Sequence, residues 1–264
     1  MNAELLLMFT LTCDRAYLFA HPEQKLSSEE MSGYESALAE RSRGVPAQYI
    51  TGHQEFWGMD LIVSPAVLIP RPETEHVVEA VLGLIGTESR ELSRDKQLGI
   101  VDVGTGSGCI ALALARELPH TEIHATDVSP DALEVARANA ARLQLEQRVN
   151  FHETDLLDGL NRAFDVVVSN PPYVGESEKD TVQLEVRKFE PRAAVFAGPS
   201  GTEVIERLIP AAWAKLRPGG WLVMEISGTI VEKVRGLTNG WHEVEIIPDL
   251  QSIPRVVRAR KPLA

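Results

Sequence analysis

The segment IVDVGTGSG, residues 100–108, carries the strongest structural signal in this sequence. Residues 100–103 form the short apolar run that is typical of a buried strand. Three glycines at alternate positions then indicate a tight turn, and the apolar segment 109–118 has the length of a helix. A strand, a glycine-rich turn and a helix in succession are the opening unit of a ligand-binding α/β fold.

The same alternation continues to the end of the chain. Pro130 stands at the first position of a predicted helix behind the cap residue Ser129. Further strands are predicted at residues 122–127, 149–152, 164–168, 221–226, 243–247 and 255–259, and further helices at 130–143 and 201–216. Strands that alternate with helices favour a mainly parallel sheet that is covered on both faces.

The residues before this unit have a different pattern. Leucines at helical spacing and the cap-like segment 27–30 predict short helices over the first fifty residues. The runs 54–57 and 60–63, around a glycine-containing turn, predict a β-hairpin. Thr74 is predicted to cap the next helix, and the polar stretch 87–97 is predicted to separate that helix from the sheet.

Composition excludes several classes of protein. The chain has 264 residues with 26 Lys+Arg and 38 Asp+Glu, a net charge of −12. A negative field of this size repels phosphate backbones and argues against general binding to nucleic acid. The two cysteines and seven histidines show no metal-ligand spacing, so we expect no metal site and no disulfide framework.

The amino terminus does not resemble a membrane anchor. Its apolar run, residues 5–11, follows Glu4 and is too short to cross a bilayer, which requires about 20 apolar residues. We therefore expect a cytoplasmic protein without a membrane segment.

The glycine turn indicates the kind of ligand. A dinucleotide fingerprint requires a glycine where Cys109 stands, and no Lys follows the turn as it does in a P-loop. Asp127 ends the next strand, where a carboxylate meets ribose hydroxyls in such folds. A ligand with a ribose but no phosphate, such as S-adenosylmethionine, fits this pattern. Asp155, after the third strand, either lies at the adenine end or caps a helix.

Asn170-Pro171-Pro172-Tyr173 follows the fourth predicted strand, beside the glycine turn. Proline has no N–H, so this segment presents carbonyl acceptors, to which Asn170 adds its side-chain oxygen. Such acceptors suit a planar NH2 group, which Asn170 and the Pro171 carbonyl would aim at a methyl donor. The alternative is a proline turn in which Asn170 is only a local cap.

These four residues resemble the signature of class I methyltransferases that act on amino groups of planar systems. With the segments 46–52, 55–58, 68–75 and 190–192, the sequence is similar to the HemK/PrmC family of protein-(glutamine-N5) methyltransferases. The resemblance implies a helical amino-terminal, release-factor-binding domain (1–52), a β-hairpin linker (53–66) and a methyltransferase domain (67–264). It implies a Rossmann-like α/β domain whose seven-stranded sheet has an antiparallel last strand.

The resemblance also implies the reaction and its residues. The methyl group passes from S-adenosylmethionine to the glutamine of the Gly-Gly-Gln motif in class I peptide-chain release factors. Apart from the resemblance, we expect no direct nucleic-acid contact, because of the net charge of −12, and a monomer, which suits an enzyme that grips another protein. The implied donor-binding residues are Gly104, Thr105, Gly106, Ser107, Gly108, Asp127, Asp155, Leu156 and Asn170. The implied substrate-binding residues are Asn170, Pro171, Pro172 and Tyr173, of which Asn170, Pro171 and Tyr173 are catalytic.

Two other functions remain open from the sequence. An exocyclic amine of adenine (N6) or guanine (N2) is also a planar NH2 group, although the net charge of −12 disfavours a nucleic-acid acceptor. A cofactor-binding module without turnover is the second alternative, since a fold does not imply an activity.

Overall fold

The computed structural model describes residues 2–92 and 97–263. The helices are α1 (Asn2–Leu11), α2 (Arg15–Ala20), α3 (Ser28–Ser42), α4 (Ala47–Thr51), α5 (Glu75–Leu92), α6 (Cys109–Glu117), α7 (Pro130–Arg142), α8 (Leu184–Phe189), α9 (Arg192–Val195), α10 (Glu203–Lys215) and α11 (Val231–Leu237). The strands are β1 (His53–Phe56), β2 (Met59–Ile62), β3 (Gly99–Val103), β4 (Glu122–Asp127), β5 (Val149–Glu153), β6 (Phe164–Ser169), β7 (Val174–Gly175), β8 (Phe196–Gly198), β9 (Leu216–Glu225), β10 (His242–Pro248) and β11 (Pro254–Arg260).

Seven strands form one mixed sheet in the order β10-β11-β9-β6-β3-β4-β5. The last strand, β11, is antiparallel to both of its neighbours, whereas β9, β6, β3, β4 and β5 pair in parallel. The predicted α/β fold with an antiparallel last strand is therefore confirmed. The strand predicted at 221–226 is longer than expected and begins at Leu216.

Both faces of the sheet are buried. On one face, Ile100 and Val166 pack in a cluster with side chains of α5 and α6. On the other face, Val101 and Val167 pack in a cluster with α10. Neighbouring positions of β3 and β6 therefore point into two different cores, which is why both strands are mainly apolar, with Asp102 and Asp165 as the buried acidic exceptions.

The turn after β3 brings two helices close together at Gly108. This residue has a φ of +85°, and a Cβ there would lie 3.1 Å from Leu112 Cδ1 and 3.3 Å from Ala136 Cβ. At the other end of the turn, the Gly104 N–H donates to the Thr126 carbonyl at 2.9 Å. Glycine is thus needed both for the left-handed backbone and for the contact between α6 and α7.

β1 and β2 form the predicted hairpin, and one buried side chain fixes it to the sheet domain. Asn139 on α7 is fully buried. Its Nδ2 donates to the carbonyls of Ile62 (3.0 Å) and Ser107 (2.9 Å), and its Oδ1 accepts from the Ile62 N–H at 2.6 Å. The hairpin and the glycine turn are therefore held at a fixed spacing by a single amide.

The first fifty residues are helical, as predicted. Ser27 and Glu30 form a reciprocal capping box at the start of α3. Leu6 is fully buried in this region, while Phe9 and Phe19 are exposed. Across the described residues, no helix has both the length and the apolar character needed to cross a membrane.

Two local predictions are wrong. The polar stretch 87–97 does not separate α5 from the sheet over its whole length, because the helix continues to Leu92; residues 93–96 lie outside the described residues. Thr74 does not cap α5. Its hydroxyl donates instead to the Glu225 carboxylate, at 2.6 Å, on a strand far away in sequence.

Two histidines on neighbouring strands, His124 on β4 and His152 on β5, stack on each other. His124 Nδ1 lies 2.8 Å from His152 Nε2, so these two nitrogens share one proton, because two N–H groups cannot face each other at this distance. Burial lowers the pKa of both rings, and the Glu122 carboxylate opposes this shift at His124. The folded protein therefore resists protonation of the pair.

We predict that this pair makes the fold less stable in acid. An unfolded histidine has a pKa of about 6.5, so the unfolded chain takes up protons first as the pH falls below that value. The stability conferred by neutral rings is fully present above about pH 6.5 and is lost below it. Urea unfolding midpoints at about pH 7.5 and about pH 5.5 measure the decline.

Two variants make this test specific. The exposed residue His120 supplies a control, because His120→Gln should leave the decline unchanged. His124→Gln should make the decline shallower. A His124→Gln protein that declines as steeply as the wild type would show that the histidine pair does not cause the acid sensitivity.

Candidate active site

Four neighbouring parallel strands end at one edge of the sheet. Val103 at the end of β3 pairs with Ser169 on β6 and with Thr126 on β4, and Ser169 pairs with Met224 on β9. The residues that come next in these four segments therefore lie side by side at this edge. These residues are Gly104, Asn170, Asp127 and Glu225.

Asp127 faces the glycine turn. Its Oδ2 accepts from the Gly106 N–H at 2.9 Å, and its Oδ1 accepts from the Ser129 N–H at 2.9 Å. A carboxylate has about four lone-pair positions, so these two backbone bonds fix the side chain and leave acceptor capacity for ligand hydroxyls.

A second carboxylate lies beneath the turn. Asp102 is buried, and its Oδ2 accepts from Thr105 Oγ1 (2.7 Å) and from the Ala111 N–H (3.2 Å). Burial raises the pKa of this carboxyl to about 7, although both hydrogen bonds act to lower it. Asp102 Oδ1 and Thr126 Oγ1 are buried and have no hydrogen-bond partner among residues 2–92 and 97–263. Unpartnered buried polar atoms of this kind indicate a place for a polar ligand or water.

Asp155 and Leu156 lie just beyond β5. The Asp155 carboxylate forms an ion pair with Arg207 on α10, and it does not cap a helix by its side chain. Leu156 has a φ of +51° and packs against the apolar cluster that includes α10. Both residues therefore follow β5, the strand that pairs with β4, and β4 ends at Asp127.

Asn170 and Pro171 supply free acceptors. Asn170 Nδ2 donates to Thr74 Oγ1 at 3.0 Å. Within the part of the chain that the structure describes, no group donates to Asn170 Oδ1 or to the Pro171 carbonyl. Two carbonyl oxygens at the carboxyl end of β6 thus remain available to an NH2 group beside the glycine turn.

Glu225 organises the other side of this segment. It is 1% exposed, and it accepts from Thr74 Oγ1 at 2.6 Å and from the Tyr173 hydroxyl at 2.9 Å. Burial raises the pKa of Glu225, whereas the two hydrogen bonds and the positive charge of Arg255 lower it. Burial also raises the pKa of Tyr173, which keeps the phenol protonated and able to donate.

A buried ion pair fixes the segment that leads into α5. The Glu190 carboxylate, 1% exposed, accepts from Arg71 and from the Ile69 N–H at 3.1 Å. Tyr49 adds a hydroxyl bond to the Val67 carbonyl at 2.7 Å. Because Thr74 lies in the same segment, these contacts also locate Thr74 beside Asn170.

Comparisons with known proteins show the family to which the chain belongs. Two family models match the sequence, the PrmC N-terminal domain over residues 1–52 and the Methyltransferase small domain over residues 89–190. The release factor glutamine methyltransferase of Koribacter versatilis (strain Ellin345) is 54% identical over an alignment of 264 positions, which covers 99% of this chain and 91% of that protein. The chain belongs to the release factor glutamine methyltransferase family.

Other matches extend this result. The release factor glutamine methyltransferase of Rhodopirellula baltica is 38% identical and is matched over 89% of its length by 99% of this chain. Among solved structures, the ribosomal protein L11 methylase of Lactobacillus delbrueckii subsp. bulgaricus has a TM-score of 0.52 at 22% identity, over 75% of this chain and 84% of that one. The similarity to the L11 methylase shows that the two chains share a fold.

In this release factor glutamine methyltransferase family member, three residues at the site have roles that local sequence patterns do not reveal. Glu225 ends a buried strand with a carboxylate, which is the same signal that identifies Asp127. Asp102 stands inside β3, where the sequence pattern indicates only a strand. Thr74 was assigned to the wrong partner, because a threonine ahead of a helix is an ordinary cap.

We predict that Glu190→Ala destabilises the fold by about 2–3 kcal/mol, because the Ile69 N–H and Arg71 lose a buried acceptor. Partial exposure of Arg71 keeps the loss below that of a fully buried pair. Urea unfolding followed by circular dichroism measures the difference.

Glu176→Ala provides the matched control. Glu176 pairs with Arg192 at the surface, where such a pair contributes less than about 1 kcal/mol. Equal losses for the two variants would contradict the structural role assigned to Glu190.

Proposed function

We propose that this chain transfers a methyl group from S-adenosylmethionine to the side-chain amide nitrogen (N5) of the glutamine in the Gly-Gly-Gln motif of class I peptide-chain release factors. The observation that carries the proposal is the pair of free acceptors, Asn170 Oδ1 and the Pro171 carbonyl, beside the glycine turn. The names of the relatives and the similarity over the full chain support the same substrate.

The residues around the glycine turn fit the methyl donor. The unpartnered Asp102 Oδ1 and Thr126 Oγ1 and the spare acceptor capacity of Asp127 suit its amino and hydroxyl groups. S-adenosylmethionine, when bound, supplies an electrophilic methyl group on a positively charged sulfur. The residues that we propose to hold it are Gly104, Thr105, Gly106, Ser107, Gly108, Asp127, Asp155, Leu156 and Asn170.

The acceptor segment positions a weak nucleophile. An amide nitrogen shares its lone pair with its carbonyl, so its geometry at attack matters more than a general base. The glutamine NH2 group donates one hydrogen to Asn170 Oδ1 and the other to the Pro171 carbonyl. These two oxygens face the positive charge that develops on the nitrogen and stabilise it. Pro172 and Tyr173 complete the binding segment, with Tyr173 held by Glu225.

The partners follow from this chemistry. We propose that a release factor is bound directly, without a nucleic-acid contact, because a net charge of −12 repels a phosphate backbone. We further propose that the enzyme acts as a monomer in the reducing environment of the cytoplasm, which agrees with its two unpaired cysteines, Cys13 and Cys109.

The decisive experiment is methyl transfer from radiolabelled S-adenosylmethionine to a purified class I release factor. We expect label on the wild-type factor and none on a factor whose Gly-Gly-Gln glutamine is replaced by alanine. Label on both factors would contradict the acceptor assignment. No label on either, while the donor binds, would contradict the proposed activity, and label on added RNA would favour an exocyclic amine as acceptor.

A further inference from the structure

A chain of hydrogen bonds runs from a buried carboxylate to the amide of Asn170. Thr74 Oγ1 lies 2.6 Å from Glu225 Oε2 and 3.0 Å from Asn170 Nδ2. A threonine hydroxyl has one hydrogen and two lone pairs. Both Glu225 oxygens accept, Oε2 from Thr74 and Oε1 from Tyr173, so the Thr74 hydrogen points at Glu225 and the Thr74 oxygen accepts from Asn170.

This polarity decides which end of the Asn170 amide faces the cleft. The two ends of an asparagine amide are nearly equal in size, so packing alone does not distinguish them. If the amide were turned over, Asn170 Oδ1 would face Thr74 Oγ1 with no hydrogen between the two oxygens. Such a contact is unfavourable because the Thr74 hydrogen is already donated to Glu225.

The carboxylate that sets this polarity is itself well held. Glu225 is buried at the end of β9, and Tyr173 donates to its second oxygen at 2.9 Å. Burial raises the pKa of Glu225, and the two hydroxyl donors and the nearby positive charge of Arg255 oppose this shift. Thr74 is 2% exposed, so water does not compete for its hydroxyl.

We propose that Thr74 and Glu225 are positioning residues, which keep Asn170 Oδ1 turned toward the substrate NH2 group and so select a glutamine amide over a glutamate carboxylate. The inference rests on the proposed function, since it names how that acceptor is recognised. An amide NH2 donates to Asn170 Oδ1, whereas a carboxylate has no hydrogen to donate and meets an oxygen there. A turned Asn170 would present its own NH2 group and would lose this discrimination.

The test removes only the hydroxyl. Thr74→Val keeps the side-chain shape, and we expect kcat for release-factor methylation to fall about 10- to 100-fold, the range that the loss of one buried hydrogen bond produces. The Kd for S-adenosylmethionine should stay within about twofold, because Thr74 is outside the proposed donor residues. Thr74→Ser restores the hydroxyl and should recover most of the rate.

Selectivity is the readout that a purely structural role would not change. Binding is compared between release factors that carry glutamine or glutamate at the acceptor position. The wild type should bind the glutamine-bearing factor more tightly than the glutamate-bearing one, and Thr74→Val should reduce the ratio of the two affinities. The control is Thr238→Val, in which a buried hydroxyl that donates to carbonyls of α11 is removed; it should leave rate and preference unchanged.

A measurement independent of activity separates this inference from the proposed function. In 15N-labelled protein, the side-chain NH2 protons of Asn170 should exchange with solvent slowly in the wild type and faster in Thr74→Val. An unchanged exchange rate, or a Thr74→Val enzyme with wild-type kcat and selectivity, would overturn the inference. A wild-type enzyme that methylates no release factor would instead overturn the proposed function, and amide exchange would still decide whether Thr74 orients Asn170.

Discussion

Parallel pairing of β3 with β6 places Val103 beside Ser169, and the site depends on this register. It puts the glycine turn next to Asn170, so the proposed donor and acceptor sites share one edge of the sheet. A slip of one residue would turn every side chain of β6 to the opposite face. The two apolar clusters oppose such a slip, because each face of β3 and β6 is buried against helices. Packing in the core therefore fixes the relative positions of the proposed donor and acceptor sites.

Three buried carboxylates hold the groups at this edge of the sheet in place through hydrogen bonds. Asp102 supports the turn, Glu225 accepts from Thr74 and Tyr173, and Glu190 binds the segment that carries Thr74. Each is costly to bury and is compensated by hydrogen bonds or an ion pair, with one oxygen of Asp102 left without a partner in the described chain. Their common effect is to hold backbone and amide groups at fixed orientations before any substrate arrives.

Much of the fold can be predicted from the sequence, because buried parallel strands require mainly apolar segments such as 100–103 and 164–168, each of which has one aspartate. The glycine turn and the Asn170–Tyr173 segment are local in sequence and carry chemistry that is visible there. The partners of Thr74 are not local, since Glu225 lies 151 residues away and only the assembled sheet brings them together. The extent of α5 was also hidden, because polar residues are compatible with a helix and do not mark its end.

Asn170 is proposed to hold the acceptor and to add little to donor affinity beside the eight other residues proposed to hold the donor. Asn170→Ala tests it most directly, with donor affinity measured by calorimetry and methyl transfer measured on the same preparation. We expect a donor Kd within about threefold of wild type and a loss of transfer of about 100-fold or more, because a group that acts on the reacting nitrogen is removed. Transfer at a near-normal rate, or a loss of donor binding as large as the loss of rate, would contradict it.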